Sequence, residues 1–287
     1  MNLTQAEFEL LSRYIHDLCG LDIKPDKQYL IEQRLEPLVV EANCSCFKEY
    51  YDLAIKGAIP RAKESIVNVM TTNETSFFRD THPFDAFRTS ILPQLGAMVE
   101  NRKRRSIQRR GAKVRIWSAG ASTGQEPYSL AMLIQEYVQN QAPKGTELKD
   151  FEILATDIST KVLGQALSGE YTEFEVRRGL SDTQLQKYFE KTKDTWHIKG
   201  ELQEIIEFRR VNLLDSFSLL GGFDLVFCRN VLIYLDLPTK TKIFDQFYSM
   251  LSEPGFLILG ASENIIGVTQ RFQSVSVGPS LIYQKVP

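Results

Sequence analysis

The sequence has 287 residues, 43% of them hydrophobic and 24% charged, with a net charge of −2. The large apolar fraction excludes a mainly disordered chain, and the near-neutral charge disfavours a protein that coats nucleic acid through charge alone. No apolar run reaches the about 18 residues of a membrane span, and the acidic, amphipathic start is unlike a signal peptide. The four cysteines form no CxxC pair and no zinc-ligand spacing, which favours a reducing cytoplasm and no metal.

The first 72 residues predict a small helical domain that is acidic overall. Apolar residues recur at helical spacing over residues 8–18 and again over residues 30–39. Thr4 and Glu7 predict a capping box at the start of the first helix.

A basic stretch follows at residues 102–115, which contain eight basic residues and no acidic residue. Two interpretations stay open. The stretch is either a solvated helix end with its loop, or an anion-attracting patch for an acidic partner.

From Lys113 onward, strand-like runs alternate with helical segments, which predicts a mostly parallel sheet with helices on both faces. The predicted strands are KVRIWSAG (113–120), FEILATD (151–157), IIEFRRVNLL (205–214), FDLVFCRN (223–230) and FLILGAS (256–262). Ser159 predicts an N-cap, Pro238 the first turn of a later helix, and Pro254-Gly255 the end of that helix. FQSVSV (272–277) and SLIYQKV (280–286) predict a terminal hairpin.

Ligands of such sheets bind beyond the carboxyl ends of the strands. The first predicted strand ends in small residues, 118–124, which either let a ligand approach the backbone or only form a tight turn. The second ends at Asp157, which suits ribose hydroxyls or caps the next helix. The fourth ends in the polar group Cys228-Arg229-Asn230.

The kind of nucleoside follows from what these turns lack. Neither the dinucleotide fingerprint nor the Walker A lysine is present, which disfavours ligands that carry phosphate. A phosphate-free nucleoside such as S-adenosylmethionine fits better. Glu126 opens the helix after the glycine turn and is placed either for the sulfonium or for the helix dipole.

Six segments in order along residues 5–285 resemble the CheR-type chemotaxis receptor methyltransferases. They are TTNETSFFRD (71–80), SAGASTGQEPYSLAM (118–132), ILATDIS (153–159), VNLLD (211–215), FDLVFCRNVLIYLD (223–236) and GFLILGASENI (255–265). The resemblance implies a protein-glutamate O-methyltransferase of signal transduction, which methylates glutamates on the cytoplasmic helical bundle of chemoreceptors. The implied products are glutamate methyl esters and S-adenosylhomocysteine. The enzyme is expected in the cytoplasm, recruited to membrane receptor arrays, without membrane insertion or nucleic acid.

The resemblance also implies the architecture. A Rossmann-like class I methyltransferase domain of the α/β class is expected, with a mostly parallel seven-stranded sheet and a C-terminal antiparallel hairpin. A small β-subdomain is expected at about residues 170–205, and an all-α domain at the N-terminus. The expected boundaries are 1–72 for the helical domain, 73–112 for a linker with the cofactor motif, a helix and the basic stretch, and 113–287 for the methyltransferase domain.

Site residues follow from the same resemblance. Arg79 and Tyr234 are expected nearest the methyl group, with Arg79 pairing first with the carboxylate of the cofactor and second with that of the substrate. The expected cofactor-binding residues are Asn73, Thr75, Arg79, Gly120, Glu126, Asp157, Asn212, Leu213, Arg229 and Asn230. Many relatives carry two acids at Gln125-Glu126, so which of the two contacts the cofactor stays open. The stretch 190–202 is short and lacks proline, which argues against docking of a receptor pentapeptide.

The chemistry needs no proton relay, because a glutamate carboxylate with a pKa of about 4.3 is already ionised at neutral pH. The three histidines are therefore expected on the surface or in packing, and Phe77 and Phe78 in the core. Two alternatives stay open. One is a non-catalytic S-adenosylmethionine-binding signalling module, and the other is a methyltransferase for another substrate such as RNA.

Overall fold

The computed structural model describes residues 1–105 and 113–286. The α-helices are α1 (Gln5–Cys19), α2 (Gln28–Glu41), α3 (Phe47–Ile55), α4 (Ala62–Met70), α5 (His82–Ala86), α6 (Leu92–Arg105), α7 (Gln125–Asn140), α8 (Thr160–Ser168), α9 (Glu173–Arg177), α10 (Asp182–Tyr188), the single turn α11 (Gly200–Gln203) and α12 (Leu237–Met250). A π-helical turn, Phe87–Ile91, joins α5 to α6. The strands are β1 (Val114–Ala119), β2 (Phe151–Asp157), β3 (Glu170–Thr172), β4 (Phe189–Lys191), β5 (Thr195–Ile198), β6 (Ile206–Arg210), β7 (Phe223–Cys228), β8 (Leu251–Leu259), β9 (Phe272–Val277) and β10 (Ser280–Lys285). None of the described helices is both long and apolar enough to cross a membrane.

Helices α1–α4 pack around a core of their own, to which α1 contributes Phe8, Leu11 and Ile15. The capping box predicted for α1 is confirmed. The Thr4 hydroxyl accepts a hydrogen bond from the Glu7 N–H at 3.3 Å, and the Glu7 carboxylate accepts one from the Thr4 N–H at 3.0 Å.

The main sheet has seven strands in the order β6-β2-β1-β7-β8-β10-β9. Strands β6, β2, β1, β7 and β8 run parallel to one another, and β10 pairs antiparallel with both β8 and β9. In β1, Ile116 packs into the core with α7 on one face, while Trp117 packs into the core with α12 on the other. The predicted mostly parallel sheet with helices on both faces and a C-terminal antiparallel hairpin is therefore confirmed.

The predicted inserted β-subdomain is a three-stranded antiparallel sheet, in the order β3-β5-β4, together with α9 and α10. Phe77 anchors it, since its ring makes edge contacts with Tyr171 and Phe189 at centroid distances of 5.0 and 5.6 Å. Phe77 is buried, as expected, and Phe78 is partly buried. The absence of pentapeptide docking stays a prediction.

Of two local predictions at helix ends, one is confirmed in position and the other was wrong. Ser159 is the N-cap residue of α8, as predicted, but its hydroxyl makes no capping hydrogen bond and donates instead to Asn68 Oδ1 at 2.8 Å. Pro254-Gly255 does not end α12, which stops at Met250; the pair lies within β8. The register explains why, because Phe223 pairs with Leu251 and Leu225 pairs with Phe256. The residues between these pairs bulge, and such a bulge tolerates a proline that has no N–H for the ladder.

The basic stretch lies partly outside the described residues, which omit 106–112. At its start, both Nη atoms of Arg102 donate to the Asp224 carboxylate, at 2.8 and 2.5 Å, and Lys103 forms an ion pair with Asp150. These two cations are neutralised inside the molecule and join the end of α6 to the sheet. They do not offer free charge to an acidic partner.

Candidate active site

A cavity that spans about 1020 Å³, part of it open to solvent, lies over the carboxyl ends of β1, β2 and β7, where an open parallel sheet binds its ligands. All ten residues expected to bind the cofactor line it, and so does Tyr234. Its other lining residues are Cys19, Leu21, Thr71, Thr72, Glu74, Ser122, Thr156, Ile158, Val211, Leu214, Val231 and Leu235. The lining residues between Cys19 and Arg79 thus form one wall of the cavity. The lining residues at the carboxyl ends of the strands form the other.

The turn between β1 and α7 brings its backbone into this cavity. Gly120 has φ +81°, and a Cβ built there would lie 2.3 Å from Val231 Cγ2. The glycine is therefore required by its own conformation and by the neighbouring turn. Of the pair whose roles were open, Glu126 lines the cavity, whereas Gln125 is buried and its side-chain oxygen accepts from the Thr123 hydroxyl at 2.8 Å.

Asp157 ends β2 with both carboxylate oxygens oriented by backbone groups. Oδ2 accepts from the Ser122 N–H and Oδ1 from the Ser159 N–H, each at 2.9 Å. Burial raises the pKa of Asp157 above its usual range, and these two N–H groups oppose that shift. The carboxylate thus lines the cavity in a fixed orientation.

A buried ion-pair cluster closes the base of the cavity. Glu126 accepts from the Ser118 hydroxyl at 2.8 Å and from Arg229 Nη1 at 3.1 Å. Arg229 Nη2 donates to Asp80 Oδ2 and to the backbone oxygen of Arg79, both at 2.8 Å. Burial raises the pKa of Glu126, while Arg229 opposes the rise. Arg229 Nε is buried, and no described residue gives it a hydrogen-bond partner.

The segment before α5, of which Arg79 lines the cavity, has an unusual backbone conformation. Phe78, Asp80 and Thr81 have φ values of +50°, +65° and +40°. Such conformations cost free energy and occur where the surrounding structure enforces them. Arg79 Nη1 donates to the Glu74 backbone oxygen at 2.7 Å, which holds the guanidinium at the side of the cavity.

Tyr234 ends a short 3-10 turn, Leu232–Tyr234, and is 38% exposed at the cavity wall. Its backbone oxygen accepts from the Asp22 N–H at 2.9 Å. Asn212 lines the cavity too, but its amide Nδ2 donates to the Leu18 backbone oxygen at 2.8 Å. The Asn212 side chain thus fixes its own loop against the end of α1.

Sequence reasoning missed two carboxylates, Asp80 and Glu263. Asp80 pairs with Arg229, and Glu263 accepts backbone hydrogen bonds from the turn that leads to Tyr234. Asp80 lies in TTNETSFFRD (71–80) and Glu263 lies in GFLILGASENI (255–265), two of the segments that resemble the family. That resemblance could have pointed to both residues. None of the three histidines lines the cavity, and His16 Nε2 lies 3.0 Å from Asp236 Oδ2. The described residues hold no group of three or more His, Cys, Asp or Glu side chains able to bind a metal.

This strand order, together with an acid at the end of β2 and a cavity over the strand ends, defines a class I S-adenosylmethionine-dependent methyltransferase. The cavity suits that cofactor, since Asp157 offers a carboxylate of the kind that binds ribose hydroxyls and the guanidinium of Arg79 lines the same cavity.

Comparison with known proteins agrees. Residues 6–71 match the family model of the CheR methyltransferase all-alpha domain, and residues 73–280 match that of the CheR methyltransferase SAM-binding domain. The chain belongs to the CheR methyltransferase family.

Three curated relatives cover nearly the whole chain. Chemotaxis protein methyltransferase 1 of Pseudomonas aeruginosa is 38% identical over 99% of this chain and 99% of the relative. The chemotaxis protein methyltransferase of Vibrio parahaemolyticus is 37% identical over 99% of this chain and 98% of the relative. That of Escherichia coli K12 is 32% identical over 94% of this chain and 88% of the relative.

Proposed function

We propose that this protein transfers the methyl group of S-adenosylmethionine to glutamate side chains on the cytoplasmic helical bundle of chemoreceptors. The products are glutamate methyl esters and S-adenosylhomocysteine, and the role is adaptation in chemotaxis-type signalling. The observation that supports this most directly is that Arg79 and Tyr234 line the same cavity as Asp157 and Glu126. The protein then works in the cytoplasm, at membrane receptor arrays.

The cofactor supplies a methyl group bound to a positively charged sulfur. In the proposed arrangement Asp157 accepts from the ribose hydroxyls, and Asn212 and Leu213 form the adenine side. The Nε–H of Arg229 and the guanidinium of Arg79 face the carboxylate of the methionine part. The remaining contacts come from Asn73, Thr75, Gly120, Glu126 and Asn230.

The acceptor needs orientation more than activation. A glutamate carboxylate is ionised at neutral pH, so no side chain has to remove a proton, which agrees with a cavity that no histidine lines. Opposite charges disappear during transfer, so partial exclusion of water favours it. Alignment of the reacting atoms can supply about 7–11 kcal/mol. In the proposed arrangement Tyr234, which lines the cavity, donates its hydroxyl to the carboxylate.

The test uses methyl-labelled S-adenosylmethionine and receptor cytoplasmic fragments. We expect the wild type to label the receptor and the label to be released as methanol in alkali, as a carboxyl ester requires. Arg79→Ala should lower the rate about a hundredfold or more while the protein stays folded. The matched control is Arg88→Ala, which removes a guanidinium whose ion pair with Asp85 is half-exposed.

Other outcomes would contradict the proposal. Cofactor binding without labelled receptor indicates a signalling module. Label in RNA, together with salt-sensitive RNA binding, indicates a different substrate. Alkali-stable label excludes a glutamate ester, and normal turnover of Arg79→Ala removes Arg79 from the site.

A further inference from the structure

The Glu263 carboxylate accepts five backbone hydrogen bonds. Oε1 accepts from the three consecutive N–H groups of residues 231–233, at 3.0, 2.8 and 3.3 Å. Oε2 accepts from the N–H groups of Asn230 and Gly260, at 2.8 and 2.7 Å. A carboxylate offers about four lone-pair sites, so Glu263 has no acceptor capacity left for a ligand.

These amides belong to the turn that delivers functional side chains to the cavity. β7 ends at Cys228, and the next residues carry Asn230 and Val231 into the lining and Tyr234 to its edge. Asn230 has φ +60°, so the turn leaves the sheet ladder in a conformation that needs outside support. Glu263 supplies the acceptors that the ladder no longer provides, through charge-assisted hydrogen bonds.

Gly260 gives an independent indication that this contact is built into the fold. A Cβ at position 260 would lie 2.8 Å from Glu263 Oε2 and 2.9 Å from the Asn230 nitrogen. A side chain there would push the carboxylate away from the turn. The glycine directly after β8 thus leaves the space that the carboxylate three residues later occupies.

We propose that Glu263 is the positioning residue of the transfer reaction: it holds the turn 230–234 so that Tyr234 stands at the reacting atoms. Glu263 acts through the turn and contacts neither the substrate nor the cofactor. At the other end, the Asp22 N–H holds the Tyr234 backbone oxygen at 2.9 Å. The role of Tyr234 in this inference rests on the proposed function, whereas the hold on the turn does not.

The first measurement is hydrogen–deuterium exchange of the full-length protein. In Glu263→Gln, the amide NH₂ faces N–H donors, so we expect amides 230–233 to exchange about tenfold faster or more, with β7 unchanged. The matched control is Glu253→Gln in β8, the strand that precedes Glu263, where the carboxylate lies 3.7 Å from Lys285 and is 62% exposed. Unchanged exchange at 230–233 in a folded Glu263→Gln variant overturns the proposal.

The second measurement is a double-mutant cycle on receptor methylation. We expect Glu263→Gln and Tyr234→Phe each to lower kcat by about ten- to a hundredfold. Because Glu263 acts through Tyr234, the double variant should be about as slow as the slower single variant. Losses that multiply would show a general structural role and overturn the positioning role. Glu253→Gln should keep wild-type kcat.

Gly260→Ala repeats both measurements with the Glu263 carboxylate retained but displaced by the added methyl group, so a Glu263 variant that fails to fold leaves the proposal testable. We expect the same faster exchange at 230–233 and the same non-additivity with Tyr234→Phe. If the wild type labels no receptor, the proposed function fails, and the exchange experiment still decides whether Glu263 holds the turn.

Discussion

Arg229 shows how the chemistry of a residue can be predicted while its partners cannot. The sequence places an arginine at the end of an apolar strand, next to the expected cofactor. In the structure, both of its Nη atoms are used by Glu126, Asp80 and the Arg79 backbone, and only Nε has no partner. The side chain therefore fixes the segment that carries Arg79.

Asp157 allows the ribose assignment to be tested at a single atom. Replacing it with Asn keeps the shape but removes the charge, so we expect affinity for S-adenosylhomocysteine to fall by about 1.5–3 kcal/mol, roughly tenfold to a hundredfold. Titration calorimetry measures this, with Asp194→Asn in the turn between β4 and β5 as control. An affinity within twofold of the wild type would contradict the assignment.

The same carboxylate predicts a pH dependence of binding. Burial raises the pKa of Asp157 above its ordinary value of 3.8, so protonation removes the acceptor at a pH above 3.8. Wild-type affinity for S-adenosylhomocysteine should therefore fall as the pH is lowered toward 3.8. The Asp157→Asn variant should not show this fall.

At the scale of elements, two glycines allow the cost of backbone strain to be measured apart from the cost of a steric clash. Gly120 lies in the turn between β1 and α7, and Gly145 lies between α7 and β2. Gly120 and Gly145 both have positive φ, at +81° and +89°, but a Cβ at 145 would meet nothing within 4 Å. We expect Gly145→Ala to cost about 1–2 kcal/mol of unfolding free energy. Gly120→Ala should cost roughly a further 1–3 kcal/mol, because its Cβ clashes with Val231.

Urea denaturation measures both glycine variants, and calorimetry with S-adenosylhomocysteine shows whether the clash reaches the cavity. Only Gly120→Ala should weaken cofactor binding. Equal losses of stability in the two variants would mean that Val231 moves aside freely.

Helices, strands and turns could be predicted where the sequence pattern that indicates them is local. The capping box of α1, the period-2 hairpin at the C-terminus and the apolar runs of the central strands are all short-range patterns, and the structure confirms them. The end of α12 was not predictable, because the bulge at Pro254 depends on pairing with Phe223, about thirty residues earlier in the chain. The partner of Ser159 lies on α4, and the amides held by Glu263 lie on another turn.

At the scale of the whole molecule, the helical domain and the segment that follows it form one wall of the cavity. Asn73, Thr75 and Arg79 lie in the segment after α4, and backbone groups at the end of α1 bind the Tyr234 turn and the Asn212 loop. The family resemblance predicted which residues line the cavity. It could not predict these backbone contacts, because they depend on the packing of α1 against the sheet.

A second junction, far from the cavity in the fold, joins α6, β1 and β8 through Asp224. Its side chain is 4% exposed and accepts from Arg102, from the Arg115 N–H at 3.0 Å and from the Ser252 hydroxyl at 2.6 Å. Burial by itself would raise the pKa of Asp224, but Arg102 and the other donors outweigh it and lower the pKa below 3.8. A lowered folded-state pKa stabilises the protein at every pH above the unfolded value, and the contribution is lost as the pH falls through the folded-state pKa.

Asp224→Asn should therefore lower the unfolding free energy by about 3 kcal/mol at pH 7, since it leaves Arg102 without its charged partner. The difference between wild type and variant should stay constant down to about pH 5 and narrow progressively below pH 3.8. Urea denaturation across pH 3–7 checks this, with the exposed Asp245→Asn as control, for which we expect less than about 1 kcal/mol. A loss as large at pH 3 as at pH 7 would mean that Asp224 stabilises the junction by shape and neutral hydrogen bonds, and that its charge contributes nothing.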